Sequence, residues 1–279
     1  MGRFQRGIKD QSFIQALNDL RKNSDSSWSK MVEDRILFIA IRDEYIDVYY
    51  KGNSICKLSY NNGVIVEVHY KYLNLSRPQT ENVYVKIKGG KYHEDIDLIK
   101  KASENYVDEE KSEVYSTILA NSDNNVIDVE IAFPRADVLQ KRKGIDTIDY
   151  LRLERGQNSN TDIRLVFYEV NLLINSEIKS RTTPKVLEQI DRCEEALHNH
   201  EADILTSYAL VAKNLMKLGL IRNRDLIRRV ADNPQSLSID FKPRLIIPGY
   251  DQDQKDGEVW NAHRDKLREV LGDRLTIRG

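Results

Sequence analysis

The order of strand-like and helix-like segments in the second half of the chain is the strongest constraint on its fold. A helical pattern at residues 109–120 precedes three segments rich in β-branched and aromatic residues, at 126–133, 147–154 and 163–174. Further helical patterns follow at 186–197, 202–218 and 259–271, with strand patterns at 244–250 and 275–279 and a short turn at 226–230. This order predicts an α/β (α+β) domain spanning residues 109–279.

The first half of the chain has a different pattern. Apolar spacing over residues 13–21 predicts one amphipathic helix, and a polar loop at 22–29 follows it. Four β-branched and aromatic runs within residues 35–72 are separated by turn-forming residues, which predicts an antiparallel meander. We therefore expect a small helix-plus-meander module at residues 1–90, and we place the domain boundary within the polar segment 76–108.

Composition restricts the class of protein. The chain of 279 residues is 40% hydrophobic and 31% charged, and it has none of the apolar stretches of roughly 20 residues that a membrane span needs. Cys56 and Cys193 lie far apart, so neither a disulfide framework nor a zinc site is expected, and a cytoplasmic location fits best. The net charge of −1 means that a nucleic acid would have to be held by a local basic surface.

Two carboxylates fall on strand faces that are otherwise apolar. Because side chains alternate along a strand, Asp149 shares a face with Leu151, and Glu169 shares a face with Phe167 and Asn171. An ionised carboxylate on a buried face is costly unless it is paired or bound to a metal. The two acids therefore predict a site for a hard divalent cation, Mg²⁺ or Mn²⁺.

These residues resemble the PD-(D/E)xK nuclease superfamily. The resemblance covers roughly residues 109–279, and the segments that carry it are 148–151, 167–171, 175–179 and 186–193. It implies a restriction-endonuclease-like αβββαβ core with a mixed sheet. The implied activity is metal-dependent hydrolysis of phosphodiester bonds, with DNA as the favoured substrate.

The resemblance also assigns roles to individual residues. Asp149 and Glu169 match the metal ligands, the backbone carbonyl of Val170 is a further ligand, and Gln189 matches the glutamine of the following helix. Asn171 stands where the family usually has lysine. Cys193 stands where a tyrosine often follows the glutamine.

Two roles have alternative candidates. Asn171 can hydrogen-bond a water molecule but supplies no positive charge, so Lys179 of the next loop is the alternative for placing that water. For a third carboxylate, Glu130 on the first strand of the domain is preferred, and Glu113 on the preceding helix is the other candidate.

Basic residues near these motifs are the expected nucleic-acid contacts. They fall in the loop before the Asp149 strand, the loop after the Glu169 strand and a basic stretch further on: Lys141, Arg142, Lys143, Arg181, Arg222, Arg224, Arg228 and Arg229. A solvated helix face is the competing interpretation of the last stretch.

Three functions remain open on sequence grounds. The favoured one is a metal-dependent nuclease. The first rival is a catalytically degenerate member of the same superfamily that binds nucleic acid or a partner protein without cleaving. The second is an interaction protein in which the carboxylates are structural. The N-terminal module would bind substrate, a partner protein or a second copy of the chain.

Overall fold

The fold was obtained as a computed structural model of the whole chain, and it divides into two compact units. The structure describes residues 2–73, 75–76, 83–87, 92–119, 125–134, 147–156, 162–173, 175–179, 184–220, 224–248 and 258–278. We call Gln5–Leu119 with Ser207–Asp232 the antiparallel-sheet unit, and Met1–Phe4, Ala120–Thr206 and Asn233–Gly279 the mixed-sheet unit. These units differ from the continuous ranges 1–90 and 109–279 expected from the sequence.

The antiparallel-sheet unit begins with two helices and a five-stranded sheet. Its elements up to residue 119 are α1 (Gln11–Arg21), α2 (Ser27–Glu33), β1 (Phe38–Ile41), β2 (Ile46–Tyr50), β3 (Asn53–Tyr60), β4 (Val64–His69), β5 (Tyr84–Ile87), α3 (Tyr92–Glu104) and α4 (Glu109–Leu119). The strands pair in the order β1-β2-β3-β4-β5, and every pair is antiparallel. The predicted helix and meander are confirmed.

Three elements of this unit were not predicted. Helix α2 occupies part of the segment expected to be a polar loop, and Ser26 caps it by accepting a hydrogen bond from the backbone N–H of Ser29. Strand β5 and helix α3 occupy the segment where a boundary was expected. Polar residues outnumber apolar ones in α3, and among its described side chains the buried apolar ones are Ile96 and Ile99, so its helical period is weak in the sequence.

The mixed-sheet unit contains the strands expected to carry the site. The remaining elements of the chain are β6 (Val126–Ala132), β7 (Thr147–Arg155), β8 (Ile163–Val170), α5 (Lys185–Asn199), α6 (Glu201–Leu218), α7 (Arg224–Asp232), β9 (Leu237–Ile247), α8 (Glu258–Leu271) and β10 (Leu275–Ile277). The sheet has the order β10-β9-β8-β7-β6. Strands β6, β7 and β8 are antiparallel neighbours, whereas β8, β9 and β10 are parallel.

The α/β class and the mixed sheet are therefore confirmed. Parallel neighbours need a crossover connection, and the chain between β8 and β9 supplies one that includes α5. The apolar face of α5 packs with Leu245 and Ile247 of β9 and with Trp260 and Leu267 of α8. Strand β9 begins at Leu237, seven residues earlier than the strand predicted at 244–250.

The second half of α6 and all of α7 belong to the antiparallel-sheet unit. Asn214 of α6 is buried, and its side chain accepts a hydrogen bond from the N–H of Ile8 at 2.8 Å and donates one to the Ile8 carbonyl at 3.0 Å. Gly7 has a φ of +108°, and a side chain there would collide with Leu210. Gly7 and Ile8 thus lie against α6 within this unit.

A search of the described residues for a transmembrane helix finds none with the length and hydrophobicity required.

Candidate metal and nuclease site

Strands β7 and β8 bring Asp149 and Glu169 together. Their register pairs Tyr150 with Tyr168, and the next residues beyond this pair are Asp149 on β7 and Glu169 on β8. Residues opposite each other on antiparallel strands share a face of the sheet. Glu169 is 7% exposed, and Asp149 is partly buried.

Hydrogen bonds from neighbouring groups orient both carboxylates. Asp149 Oδ2 accepts from the backbone N–H of Val170 at 2.6 Å. Glu169 Oε1 accepts from Gln189 Nε2 at 2.8 Å and from Asn171 Nδ2 at 3.3 Å. The two donors to Glu169 are neutral amides, so they fix the carboxylate without cancelling its charge.

Electrostatics make this point of the sheet attractive to a cation or a proton. Burial raises the pKa of Glu169 well above its ordinary value of 4.5, and the charges of Asp149 and Glu177 raise it further. The hydrogen bonds from Gln189 and Asn171 act in the opposite direction but do not outweigh these effects. A bound divalent ion would relieve the repulsion between the carboxylates.

Helix α5 places Gln189 because its apolar residues anchor it in the core. Val186, Leu187 and Ile190 are buried on that face. Gln189 then points to Glu169 and also donates to the carbonyl of Thr147 at 3.3 Å. Cys193, one turn further on, lies 3.6 Å from the same carbonyl. The expected Gln189 contact is present, and Cys193 packs where the sequence resemblance placed a tyrosine.

Both the nitrogen and the oxygen of the Asn171 side-chain amide form hydrogen bonds. Asn171 is 2% exposed, its Nδ2 donates to Glu169, and its Oδ1 accepts from Asn175 Nδ2 at 2.9 Å. Asn175 also caps a short 3-10 helix, Ser176–Ile178, by accepting from the N–H of Glu177 at 2.9 Å. Asn171 therefore orients Glu169 within a hydrogen-bonded series.

Asn175 and Glu177 are site residues that the sequence reasoning missed. The Asn-x-Glu capping pattern was a usable signal for the short helix. Nothing in that local pattern shows that the helix lies beside Glu169.

The other expected residues occupy different surroundings. Lys179 is exposed, and among the described residues its side chain forms neither an ion pair nor a hydrogen bond. Glu130 lies between Val129 and Ile131, which pair with Tyr150 and Ile148, so it stands opposite Asp149.

Three further observations bear on the third carboxylate. Glu130 is partly exposed and has a φ of +49°, a left-handed conformation that is unusual for a strand residue. Glu113 is exposed on α4, in the antiparallel-sheet unit. Asp128, by contrast, is buried, and one of its oxygens accepts from the N–H of Val129 at 2.9 Å.

Most of the expected basic contacts fall outside the described residues. These are Lys141, Arg142, Lys143, Arg181 and Arg222. Arg224 begins α7, but its side chain is not described. Arg228 is exposed, and Arg229 pairs with Asp225 on the same helix at 3.3 Å.

The donor chemistry of the site fits a hard divalent cation. Asp149 and Glu169 supply carboxylate oxygens, and Val170 lies beside them with a backbone carbonyl. Within the described part of the chain, no three or more His, Cys, Asp or Glu side chains are grouped closely enough to hold a metal. Mg²⁺ usually keeps several water ligands and is bound through one or two carboxylates, so two carboxylates and a carbonyl are suitable protein donors.

Comparison of the chain with protein-family models, with curated proteins and with solved structures gives no match.

Proposed function

We propose that this chain is a metal-dependent nuclease of the PD-(D/E)xK type that hydrolyses phosphodiester bonds, with DNA as the favoured substrate. The observation that carries the proposal is the position of Glu169, which is buried next to Asp149 and held by Gln189. When both carboxylates are ionised they repel each other, and burying a charge without a counter-charge costs stability, so the pair favours a bound cation.

The sheet topology supports the same proposal. Strands β6, β7 and β8 form an antiparallel meander, α5 follows β8, and β9 returns parallel to β8. These elements follow the βββαβ part of the order that the sequence resemblance implies; α4 precedes β6 in the chain but belongs to the antiparallel-sheet unit.

In the proposed mechanism, Asp149, Glu169 and the Val170 carbonyl would hold Mg²⁺ or Mn²⁺, and the ion would supply positive charge to the phosphate oxygens and to the leaving oxygen. The protein side chains act by orientation. Val170 N–H fixes Asp149, while Gln189 and Asn171 fix Glu169. Asn171 is a positioning residue in this scheme, because the lone pair of its amide nitrogen is delocalised into the carbonyl group and does not accept a proton from water.

The test is cleavage of single-stranded and duplex DNA and RNA, with Mn²⁺ or with EDTA. We expect Mn²⁺-dependent cleavage that falls by at least about 100-fold in Asp149→Asn and Glu169→Gln, as expected when a group that stabilises developing charge is removed. Glu195→Gln is the matched control, because Glu195 is an exposed acid on α5. Cleavage that persists in Asp149→Asn would reject the assignment.

A degenerate member that binds nucleic acid without cutting is the second candidate. It is favoured by Asn171, which occupies the usual lysine position and is engaged by Glu169 and Asn175. This candidate predicts binding in EDTA, no cleavage by the native chain and a gain of cleavage in Asn171→Lys.

A thermal-shift measurement separates both candidates from a purely structural site. A cation that binds only the folded chain must raise its unfolding midpoint. The absence of any Mn²⁺ shift, together with no cleavage by either the native chain or Asn171→Lys, would reject a metal site.

A further inference from the structure

A lysine over two tyrosine rings stands out in the antiparallel-sheet unit. Lys71 lies in the 3-10 helix Tyr70–Leu73 that follows β4. Its Nζ is 4.8 Å from the ring centroid of Tyr72 and 4.7 Å from that of Tyr106. The two ring centroids are 5.9 Å apart, and Tyr106 is 48% exposed.

The charge at Lys71 is not neutralised by a described carboxylate. Among the described residues, Lys71 forms no ion pair. Burial, followed by the charge of Lys111, lowers its pKa. Glu104 of α3 is already engaged, since it accepts from Lys51 at 2.8 Å and from Tyr50 at 2.9 Å. An anion bound at Lys71 would therefore meet a positive environment.

A cleft adjoins this lysine. Its volume is about 400 Å³, and Tyr72 and Leu73 line it together with Leu98, Ile99, Lys101 and Asn105 of α3 and its end. Leu98 is 63% exposed, which is unusual for a large apolar side chain. The cleft thus offers apolar walls, one amide and one ammonium group, and its size is within the range of small-ligand pockets.

Aromatic rings continue from the cleft across the sheet. The His69 ring centroid lies 5.7 Å from that of Tyr72 and 5.6 Å from that of Tyr84. A second lysine, Lys57, stands 4.0 Å from the centroid of Tyr84. The charge of buried Asp47 also acts on Lys57, so Lys71 remains the better anion site.

We propose that this surface, which we call the Lys71 patch (Lys71, Tyr72, Lys101, Asn105 and Tyr106), binds single-stranded nucleic acid. One base enters the cleft or stacks on the exposed ring of Tyr106, and Lys71 and Lys101 contact the flanking phosphates. Alternating cations and flat rings suit a strand whose bases are unstacked. A duplex keeps its bases stacked, so they cannot enter this cleft.

The Lys71 patch goes beyond the proposed function, because it lies in the other unit and requires neither metal nor cleavage. Binding is therefore measured in EDTA, where no Mg²⁺-dependent cutting occurs. The readout is the fluorescence anisotropy of a labelled single-stranded oligonucleotide of about 20 nucleotides, which exceeds the roughly 4–16 that one such surface covers. The duplex of the same sequence and the Asp149→Asn variant are measured in parallel.

We expect Tyr106→Ala to weaken binding roughly tenfold, the scale of losing one base stack. Lys71→Gln should weaken binding and reduce the slope of log K against log salt by about 0.7, the value for one phosphate of a single strand. Lys30→Gln is the control, because Lys30 is an exposed lysine on α2 of the same unit. Asp149→Asn should bind as the native chain does.

Three results would overturn the proposal: no binding by the native chain, binding to the duplex in preference to the single strand, or unchanged affinity in both Lys71→Gln and Tyr106→Ala. Thermal unfolding of each variant identifies a folding defect. If Tyr106→Ala does not fold, the salt dependence of binding by Lys71→Gln is the deciding measurement. Loss of the fold would not reduce the slope of log K against log salt by the value that corresponds to one phosphate contact.

Discussion

Two glutamates on neighbouring strands of one sheet have opposite surroundings. Glu154 of β7 is paired with Arg244 Nη1 at 3.1 Å, lies 3.4 Å from Arg152 Nε and accepts from the hydroxyl of Tyr168. Among the described residues, Glu169 of β8 accepts side-chain hydrogen bonds from the amides of Gln189 and Asn171, and its neighbouring charges are carboxylates. By strand alternation the two glutamates emerge on opposite faces of the sheet.

The pKa shifts describe the same contrast. Burial, followed by the hydrogen bond to Glu154, raises the pKa of Tyr168 to about 12, so this hydroxyl remains a donor at neutral pH. Glu154 thus interacts with the guanidinium groups of Arg244 and Arg152 and with the hydroxyl of Tyr168. Glu169 has its pKa raised by burial and by Asp149. On one face of the sheet, arginine side chains neutralise the carboxylate of Glu154. On the other face, a bound cation would reduce the repulsion between Glu169 and Asp149.

The largest expected effect is on the neutralised face. Arg244→Ala removes the cation between Glu154 and Asp240, which it contacts at 3.1 and 3.2 Å. We expect a loss of roughly 2 kcal/mol, less than for a fully buried pair because these side chains are partly exposed. Thermal unfolding should show the midpoint falling by roughly 4–8 °C.

Lys242→Ala is the matched control for that loss. Lys242 lies on the same strand and pairs with Glu194 at the surface, so its removal should cost less than about 1 kcal/mol. Equal losses from the two substitutions would contradict the view that Arg244 neutralises a buried cluster.

A smaller effect of opposite sign is expected at Glu169. Since its folded-state pKa lies above the ordinary value of 4.5, the folded chain loses stability as the pH rises from that value through the folded-state pKa. Glu169→Gln does not ionise and should be more stable than the native chain by about 1 kcal/mol at about pH 8 without metal. The gain should disappear as the pH falls to about 4.

The comparison variant is Glu154→Gln, measured over the same pH range by thermal unfolding. It should be destabilised at neutral pH, because it removes the carboxylate that Arg244 and Arg152 share. If both glutamine variants lose stability alike, the two faces do not differ as described.

The smallest expected effect on stability is at Asn175, which donates to Asn171, the residue that orients Glu169. Asn175→Ala removes the donor to Asn171 and the cap on the N–H of Glu177. Denaturant unfolding should show a loss of about 0.5–1.5 kcal/mol, typical of one neutral hydrogen bond and a cap. Asn199→Ala, at the exposed end of α5, is the control. A loss no greater than in that control would show that the series from Asn175 to Glu169 does not hold the site.

Much of the site was accessible from the sequence because strands have a period of two. Alternation placed Asp149 and Glu169 on apolar faces, and the register of β7 and β8 brings them side by side. The apolar spacing at residues 186–197 predicted α5, which carries Gln189. The sequence pattern was sufficient to predict these strand faces and this helix, because the residues that form each pattern are close together in the chain.

Other features depend on contacts between distant parts of the chain. The sequence assigned residues 207–232 to the same domain as Asp149, but Asn214 is bonded to Ile8, 206 residues away. Helix α3 was missed because few apolar residues mark its period. The proximity of Glu177 to Glu169 depends on how the chain turns after β8.

The sequence by itself determined which faces of β7 and β8 carry acids, because the alternation of side chains is a property of each strand. Only the tertiary structure decided which acid was neutralised. Arg244 reaches Glu154 across 90 residues, while Gln189 reaches Glu169 across 20. A carboxylate has the same sequence signal whether its neighbour is an arginine or another acid, and the parallel pairing of β8 with β9 supplies the arginine on one face alone.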